Sequence, residues 1–84
     1  MGDLSATLGH RIRITRERRG LGQREFGRLA GVAPSLLCHV EHGERYLSIE
    51  SLVRVARVLD VTTDYLLGLS RASHRVGEEG GRDA

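Results

Sequence analysis

The residues best equipped for chemistry sit close together in the stretch GVAPSLLCHVEHGER, residues 31–45. Cys38 and His42 are four apart, and His39 and Glu41 lie between them. On a helix, side chains four apart share a face. Three readings follow. Thiolate and imidazole ligate zinc, but a structural site takes four donors. The other histidines, His10 and His74, are isolated along the chain and no second Cys/His cluster exists, so no metal is expected. A cysteine nucleophile needs a base and an orienting group around a pocket, and a small helical chain has little room for one. No catalytic residue, no enzymatic activity and no cofactor are expected, and nothing in the sequence supports redox sensing through Cys38. The third reading is a short helix that turns its polar face toward something large. What flanks the stretch decides among them.

Hydrophobic spacing sets those flanks. Leu4, Leu8 and Ile12 recur every four residues, one face of a helix. Gly20 stops that helix, which is expected over about 4–19. Phe26, Leu29 and Ala30 define a second helix over 23–30, ended by Gly31. Pro34 suits the first turn of a third, where its missing N–H is harmless. Leu37 and Val40 form the inner face of this helix, Gly43 ends it, and it covers 34–42. Ser48 caps a fourth helix over 49–59, with Ile49, Leu52, Val53, Ala56 and Leu59 repeating at helical spacing and Glu50 near the positive end of the helix dipole. Thr62 caps a fifth, which carries Tyr65, Leu66 and Leu69. From about residue 70 the pattern is lost. The organisation expected is a domain over 1–69 and a flexible or disordered tail over 70–84, rich in Gly and charge. No strand-like alternation and no internal repeat is present.

Composition fits one small helical domain. The chain has 84 residues, 39% of them hydrophobic, and a single proline. One cysteine cannot form an internal disulfide, and the N-terminal residues contain no apolar run of signal-peptide or membrane-span length, so a cytoplasmic protein is expected. The net charge of +2 says little by itself, but its distribution says more. Residues 1–45 hold eight Arg against five acids, whereas residues 77–84 hold one Arg against three. All thirteen basic residues are Arg, a side chain suited to bidentate phosphate and guanine contacts.

Two short helices joined by a tight turn containing Gly describe a helix-turn-helix. Gly27 stands where the third helix must cross the second closely, and Gly31 permits the sharp turn between them. Phe26, Ala30, Val32, Leu37 and Val40 fill the shared core. The outward remainder of the third helix is Pro34, Ser35, Leu36, Cys38, His39 and His42. A B-DNA major groove about 12 Å wide admits such a helix, N-terminal residues first.

The segments RRGLGQREFGRLAGV, HVEHGER and SLVRVARVLDVTTDYLLG, taken together, resemble the Cro/phage-repressor helix-turn-helix family, also called the xenobiotic-response-element (XRE) type. The likeness runs over about residues 8–68. It implies an all-α, five-helix, lambda-repressor-like fold with the helix-turn-helix at helices 2 and 3. It also implies a sequence-specific, duplex-DNA-binding transcriptional regulator. In such families the residue opening helix 2 grips a phosphate, here Gln23. The first exposed residues of helix 3 touch bases, here Pro34, Ser35 and Leu36, with His39 one turn further on and Cys38 beside it. The end of helix 3 and its loop supply phosphate contacts, here His42 and Arg45 with the main-chain N–H groups of Glu44 and Arg45. The family pairs a basic residue late in helix 1 with a Glu late in helix 3. Arg16 and Glu41 occupy those positions and are expected to form a partly buried ion pair; the plain alternative is two surface charges. For Arg16, Arg18 and Arg19 as a cluster, direct phosphate contact competes with an ordinary solvated face.

Some positions depart from the family pattern. Gly22 replaces the usual Ser or Thr cap of helix 2. Thr15 stands where a core Leu is common, and Ile14 is apolar where exposure is usual. Pro34 cannot make the bidentate amide contact to adenine that Gln or Asn would make. Glu44 and Tyr46 replace loop residues that are often basic or Pro. Base readout is therefore expected to be small and apolar, with Ser35 and His39 as the main hydrogen-bonding groups and support from DNA shape or water.

Tyr65, Leu66, Leu67 and Leu69 give helix 5 more apolar surface than one face can hide. The resemblance implies that they form a two-fold homodimer contact, which would present two recognition helices about 34 Å apart to a near-palindromic operator. The alternative is that they only close the monomer core. Small proteins of this family include phage-type repressors, restriction–modification controllers and antitoxins, and YLSIESLVRVARVLDV leans toward the controllers. RNA polymerase or another protein is a further partner to consider. The competing class is an antitoxin or protein-interaction module that uses the same fold to bind a protein.

Overall fold

The structure is a computed structural model that describes residues 3–71. Five helices follow one another: α1 over Leu4–Arg18, α2 over Gln23–Ala30, α3 over Pro34–Glu41, α4 over Ile49–Leu59 and α5 over Thr63–Leu66. Among the described residues there is no strand. The sequence placed α1 one residue longer and α3 one residue longer, within the ordinary fraying of helix ends. The tail expected from residue 70 onward lies almost wholly outside the described residues.

Local chemistry explains the starts and stops. The Ser48 hydroxyl accepts from the Ser51 N–H at 3.1 Å, and the Thr62 hydroxyl accepts from the Tyr65 N–H at 2.9 Å, so both expected caps are made. Gly22 gives α2 no side-chain cap, in keeping with the weaker start anticipated there. Pro34 opens α3 at a position that needs no N–H donor.

The core is one cluster. It gathers Leu8 and Ile12 of α1, Phe26 and Ala30 of α2, Val32 of the turn, and Leu37 and Val40 of α3. Val55, Ala56 and Leu59 of α4, then Val61, Tyr65 and Leu66, complete it. The helix α1 packs on α3 and α5, α2 packs on α3 and α4, and α4 packs on α5. The inner face of α4 differs from the expected one. Val55 is fully buried, while Ile49 is 81% exposed and Val53 only half-buried. The face that meets α2 and α5 runs through Leu52, Val55, Ala56 and Leu59, and Ile49, at the helix's first residue, projects past it. Leu4, first in α1, is exposed for the same reason. Leu29 also faces outward, onto a groove of about 590 Å³ that it lines with Thr15, Arg18, Arg19, Leu21, Val58 and Val61.

At two glycines the backbone approach is closer than a side chain would allow. A Cβ at Gly27 would lie 2.5 Å from the Val32 carbonyl oxygen, so the tight approach there is to the turn that leads into α3, and α3 itself, expected at this position, comes no nearer than ordinary contact at 3.4 Å through Leu37 Cδ1. The second close approach was not anticipated. A Cβ at Gly9, in the middle of α1, would collide with the Val40 carbonyl oxygen and come within 2.8 Å of the Glu41 carbonyl oxygen. The backbone of α1 therefore touches the C-terminal turn of α3 directly. Gly9→Ala should lower stability by about 1–3 kcal/mol, the usual penalty for overpacking, despite its better helix propensity. Urea unfolding followed by circular dichroism reads this as a lower midpoint; an unchanged midpoint would mean the crossing yields freely.

Candidate nucleic-acid interface

The outer face of α3 is what the core leaves over. Leu37, Val40 and Glu41 point inward and are buried. Pro34, Ser35, His39 and His42 are exposed, and Leu36 and Cys38 are half-buried. Arg45 and Tyr46, in the loop after α3, are also exposed. All the side chains that the sequence singled out on this helix therefore share one accessible strip, except Leu36, which rests partly on the core.

A buried ion pair fixes that strip in place. Arg16 Nε donates to Glu41 Oε2 at 2.7 Å, and Nη2 donates to Oε1 at 2.9 Å. The side chains are only 10% and 2% exposed, so the two-surface-charges alternative is excluded. Arg16 Nη1 donates to the Leu21 carbonyl at 2.8 Å, and Gln23 Nε2 donates to Glu41 Oε1 at 3.0 Å. All three guanidinium nitrogens and both carboxylate oxygens thus have partners, as buried charges require. The hydrogen bond to Glu41 raises the Arg16 pKa above its ordinary value against the opposing effect of burial. The network links α1, the loop before α2, the first residue of α2, and α3. Gln23, read from sequence as a phosphate ligand, spends one amide N–H on this network. Its second N–H and the exposed first turn of α2 still suit an anion.

The Cys38/His42 pair is also resolved in detail. His42 Nδ1 lies 2.7 Å from the Cys38 carbonyl oxygen and 3.6 Å from Cys38 Sγ. A carbonyl can only accept, so Nδ1 carries the proton. That nitrogen then has no lone pair with which to take a proton from the thiol, so the geometry is not that of a nucleophile and its base. Among the described residues no three His, Cys, Asp or Glu side chains gather as a metal site, and no helix is long and apolar enough to cross a membrane.

Two supporting residues escaped the sequence reading. Arg54 of α4 donates from Nε to the Ala30 carbonyl at 2.9 Å and so holds the end of α2 from behind. Arg11 donates to the carbonyls of Tyr65 and Ser70 at 2.8 and 3.0 Å, and its guanidinium lies 4.5 Å from the centre of the Tyr65 ring. Both were hidden because a single Arg on a helix's polar side looks like any solvated charge. Arg18 and Arg19 are exposed and line the groove beside Leu29, to which α3 contributes nothing.

The apolar residues of α5 and the turn after it divide differently from the expectation, and Leu69, expected within the helix, lies beyond its end at Leu66. Leu66 is fully buried and Tyr65 nearly so, because the single turn of α5 packs into α1 and α4. They close the monomer core and are not surface available to a second subunit. Leu67 is half-buried, and Leu69, at 73% exposure, is the large apolar side chain left outside.

Comparison with known proteins bears on this arrangement. A family model described as a helix-turn-helix domain matches residues 7–72. No curated protein sequence matches. The restriction–modification controller protein C.AhdI from Aeromonas hydrophila is 31% identical, with a TM-score of 0.70, over 74% of this chain and 94% of that one. The P22 c2 repressor, solved with a synthetic operator, is 28% identical with a TM-score of 0.72, over 75% and 96%. SinR, a Bacillus subtilis regulator of biofilm formation solved with DNA, is 38% identical with a TM-score of 0.68, over 71% and 97%.

Glu41→Ala should lower unfolding free energy by about 3–5 kcal/mol, because it strands a buried guanidinium. The double variant Arg16→Met, Glu41→Leu should fall much closer to the parent. Chemical denaturation of the three proteins checks this, and a double variant as unstable as the single one would contradict it.

Proposed function

The chain belongs to the helix-turn-helix domain family, of the Cro and phage-repressor type, and from that premise we propose that it binds duplex DNA and regulates transcription. The observation that carries the reading is the accessible strip Pro34, Ser35, His39 and His42 on a helix locked by a buried ion pair. A rod of eight residues presents few groups to base edges. Small and uncharged side chains at its N-terminal end let it enter the groove deeply, with Ser35 and His39 supplying hydrogen bonds and Pro34 and Leu36 apolar contact with thymine methyls. Gln23 and Arg45 flank this strip and suit phosphates, which position the protein without reading sequence, and His42, its Nδ1–H held by the Cys38 carbonyl, joins them only as a doubly protonated ring that donates through Nε2.

One such helix buries too little surface for tight specific binding. We therefore place two copies on a near-palindromic operator, joined through Leu69 and Leu67. Occupation of a promoter would make the protein a repressor or small autoregulator. C.AhdI, as a restriction–modification controller, favours that subclass among the candidates. The exposed Ile49 and Leu69 are also what an antitoxin or adaptor would offer to a protein partner.

Electrophoretic retention of genomic fragments at moderate salt separates these readings. Fragment binding by the isolated protein is expected; co-purification of a protein partner with no fragment retained would replace regulation with the adaptor reading. Arg45→Ala should weaken all sequences alike and flatten the slope of log affinity against log salt by about 0.9, whereas His39→Ala should reduce preference for the operator over bulk DNA. Sedimentation should find a dimer at micromolar concentration that Leu69→Glu converts to monomer.

A further inference from the structure

The C-terminal end of α3 brings together two side chains that the reading above treats separately. Gly43, with φ of +79°, ends the helix in the left-handed region. Its N–H donates to the Val40 carbonyl and the Glu44 N–H to the His39 carbonyl, both at 2.9 Å. This pair of bonds is the Schellman motif, in which the residue after the glycine returns beside the residue five positions earlier. Usually two apolar side chains meet there. Here a carboxylate meets an imidazole, with His39 Nδ1 2.7 Å from Glu44 Oε1.

The chemistry of that contact is one-sided. The hydrogen bond from His39 holds the Glu44 carboxyl below its usual pKa, and an ionised carboxylate only accepts. The proton in the bond therefore resides on Nδ1. A neutral imidazole has one N–H, so its other nitrogen, Nε2, is left with a lone pair and no proton. The imidazole side chain is 55% exposed, on the strip that carries Ser35 and Pro34.

We propose that Glu44 acts as a positioning residue that fixes the neutral His39 ring in the Nδ1–H form, and that in this form His39 is a specificity-determining acceptor for exocyclic amino groups in the major groove. The inference rests on the reading of α3 as the recognition helix. The bases that present such a donor there are adenine, through N6, and cytosine, through N4. Guanine presents only acceptors, N7 and O6. Facing guanine, Nε2 would set a lone pair against a lone pair, so the pair selects against guanine as well as for an amino group. Without Glu44 the ring can carry its proton on Nε2 and donate to guanine instead. The residue that orients the discriminating imidazole thus lies outside the helix, in a loop position reached because Gly43 turns the chain back.

Two measurements test this at about pH 8.5, where imidazole is ordinarily neutral. The first needs no DNA. Two-bond proton–nitrogen correlation spectra of the full chain report which ring nitrogen of His39 is protonated. Nδ1–H should dominate in the parent and Nε2–H in Glu44→Ala; an Nε2–H parent would overturn the proposal. The second is selection from a random duplex pool. The parent should enrich a motif with adenine or cytosine at one position per half-site. Glu44→Ala should retain the rest of the motif while its discrimination against guanine there falls about fivefold to tenfold. His39→Ala should lose preference at that position, and Glu44→Ala should add nothing in its background. A parent motif with guanine there, or one that Glu44→Ala leaves unchanged, would overturn the proposal even though DNA binding stands. A parent that enriches no motif, with the Nδ1–H form intact, would instead remove the DNA-binding reading on which the role in specificity depends.

Discussion

The contact between Arg16 and Glu41 is the constraint around which the molecule is arranged. Placing two charges out of water is unfavourable, and mutual attraction offsets that only when every remaining donor and acceptor is matched. Here the matching partners come from four places: α1, the loop at Leu21, the start of α2 at Gln23, and α3. An apolar contact would let α3 slide or roll at little penalty, since dispersion has no preferred direction. A forked guanidinium on a carboxylate has a preferred direction. The pair therefore sets how α3 is rotated about its own axis, and that rotation decides which residues face outward.

Backbone proximity completes the restraint. Gly9 lets α1 rest on the main chain of α3's last turn, and Gly27 lets α2 approach the turn that leads into α3. A helix of eight residues has little stability of its own, so its position must be imposed by neighbours. The sequence places small residues at the crossings and saves its large ones, Phe26, Leu37 and Leu59, for the space between.

Much of this was legible in the residues, and the failures have common causes. Helix positions and caps followed from short-range rules that need no tertiary information, such as Ser48, Thr62 and Pro34. The Arg16–Glu41 pair came from the family resemblance, and no spacing rule would have found it across 25 intervening steps of chain. Ile49 and Leu4 were misplaced because periodicity says which way a side chain points, and does not say whether a neighbour extends far enough to cover it. Tyr65 and Leu66 were assigned to a subunit contact because their number exceeded one helix face, when α5 is a single turn sunk between two helices. Gly9 was passed over, although a glycine amid helical apolar residues signals a close crossing. The Glu44 side chain was registered only as an odd charge in a loop, because its meeting with His39 depends on the left-handed turn between them.

The hold of Arg54 on the Ala30 carbonyl bears on how the chain assembles. The last carbonyls of a helix have no partner within it, and for α2 one such group is satisfied from a helix that comes 24 residues later. The pair α2–α3 is consequently not self-sufficient in its hydrogen bonds, because the carbonyl that ends α2 is matched only with α4 in place. A shortened peptide spanning the two helices alone would lack this brace, and grafting them onto another scaffold would have to supply a surrogate for it.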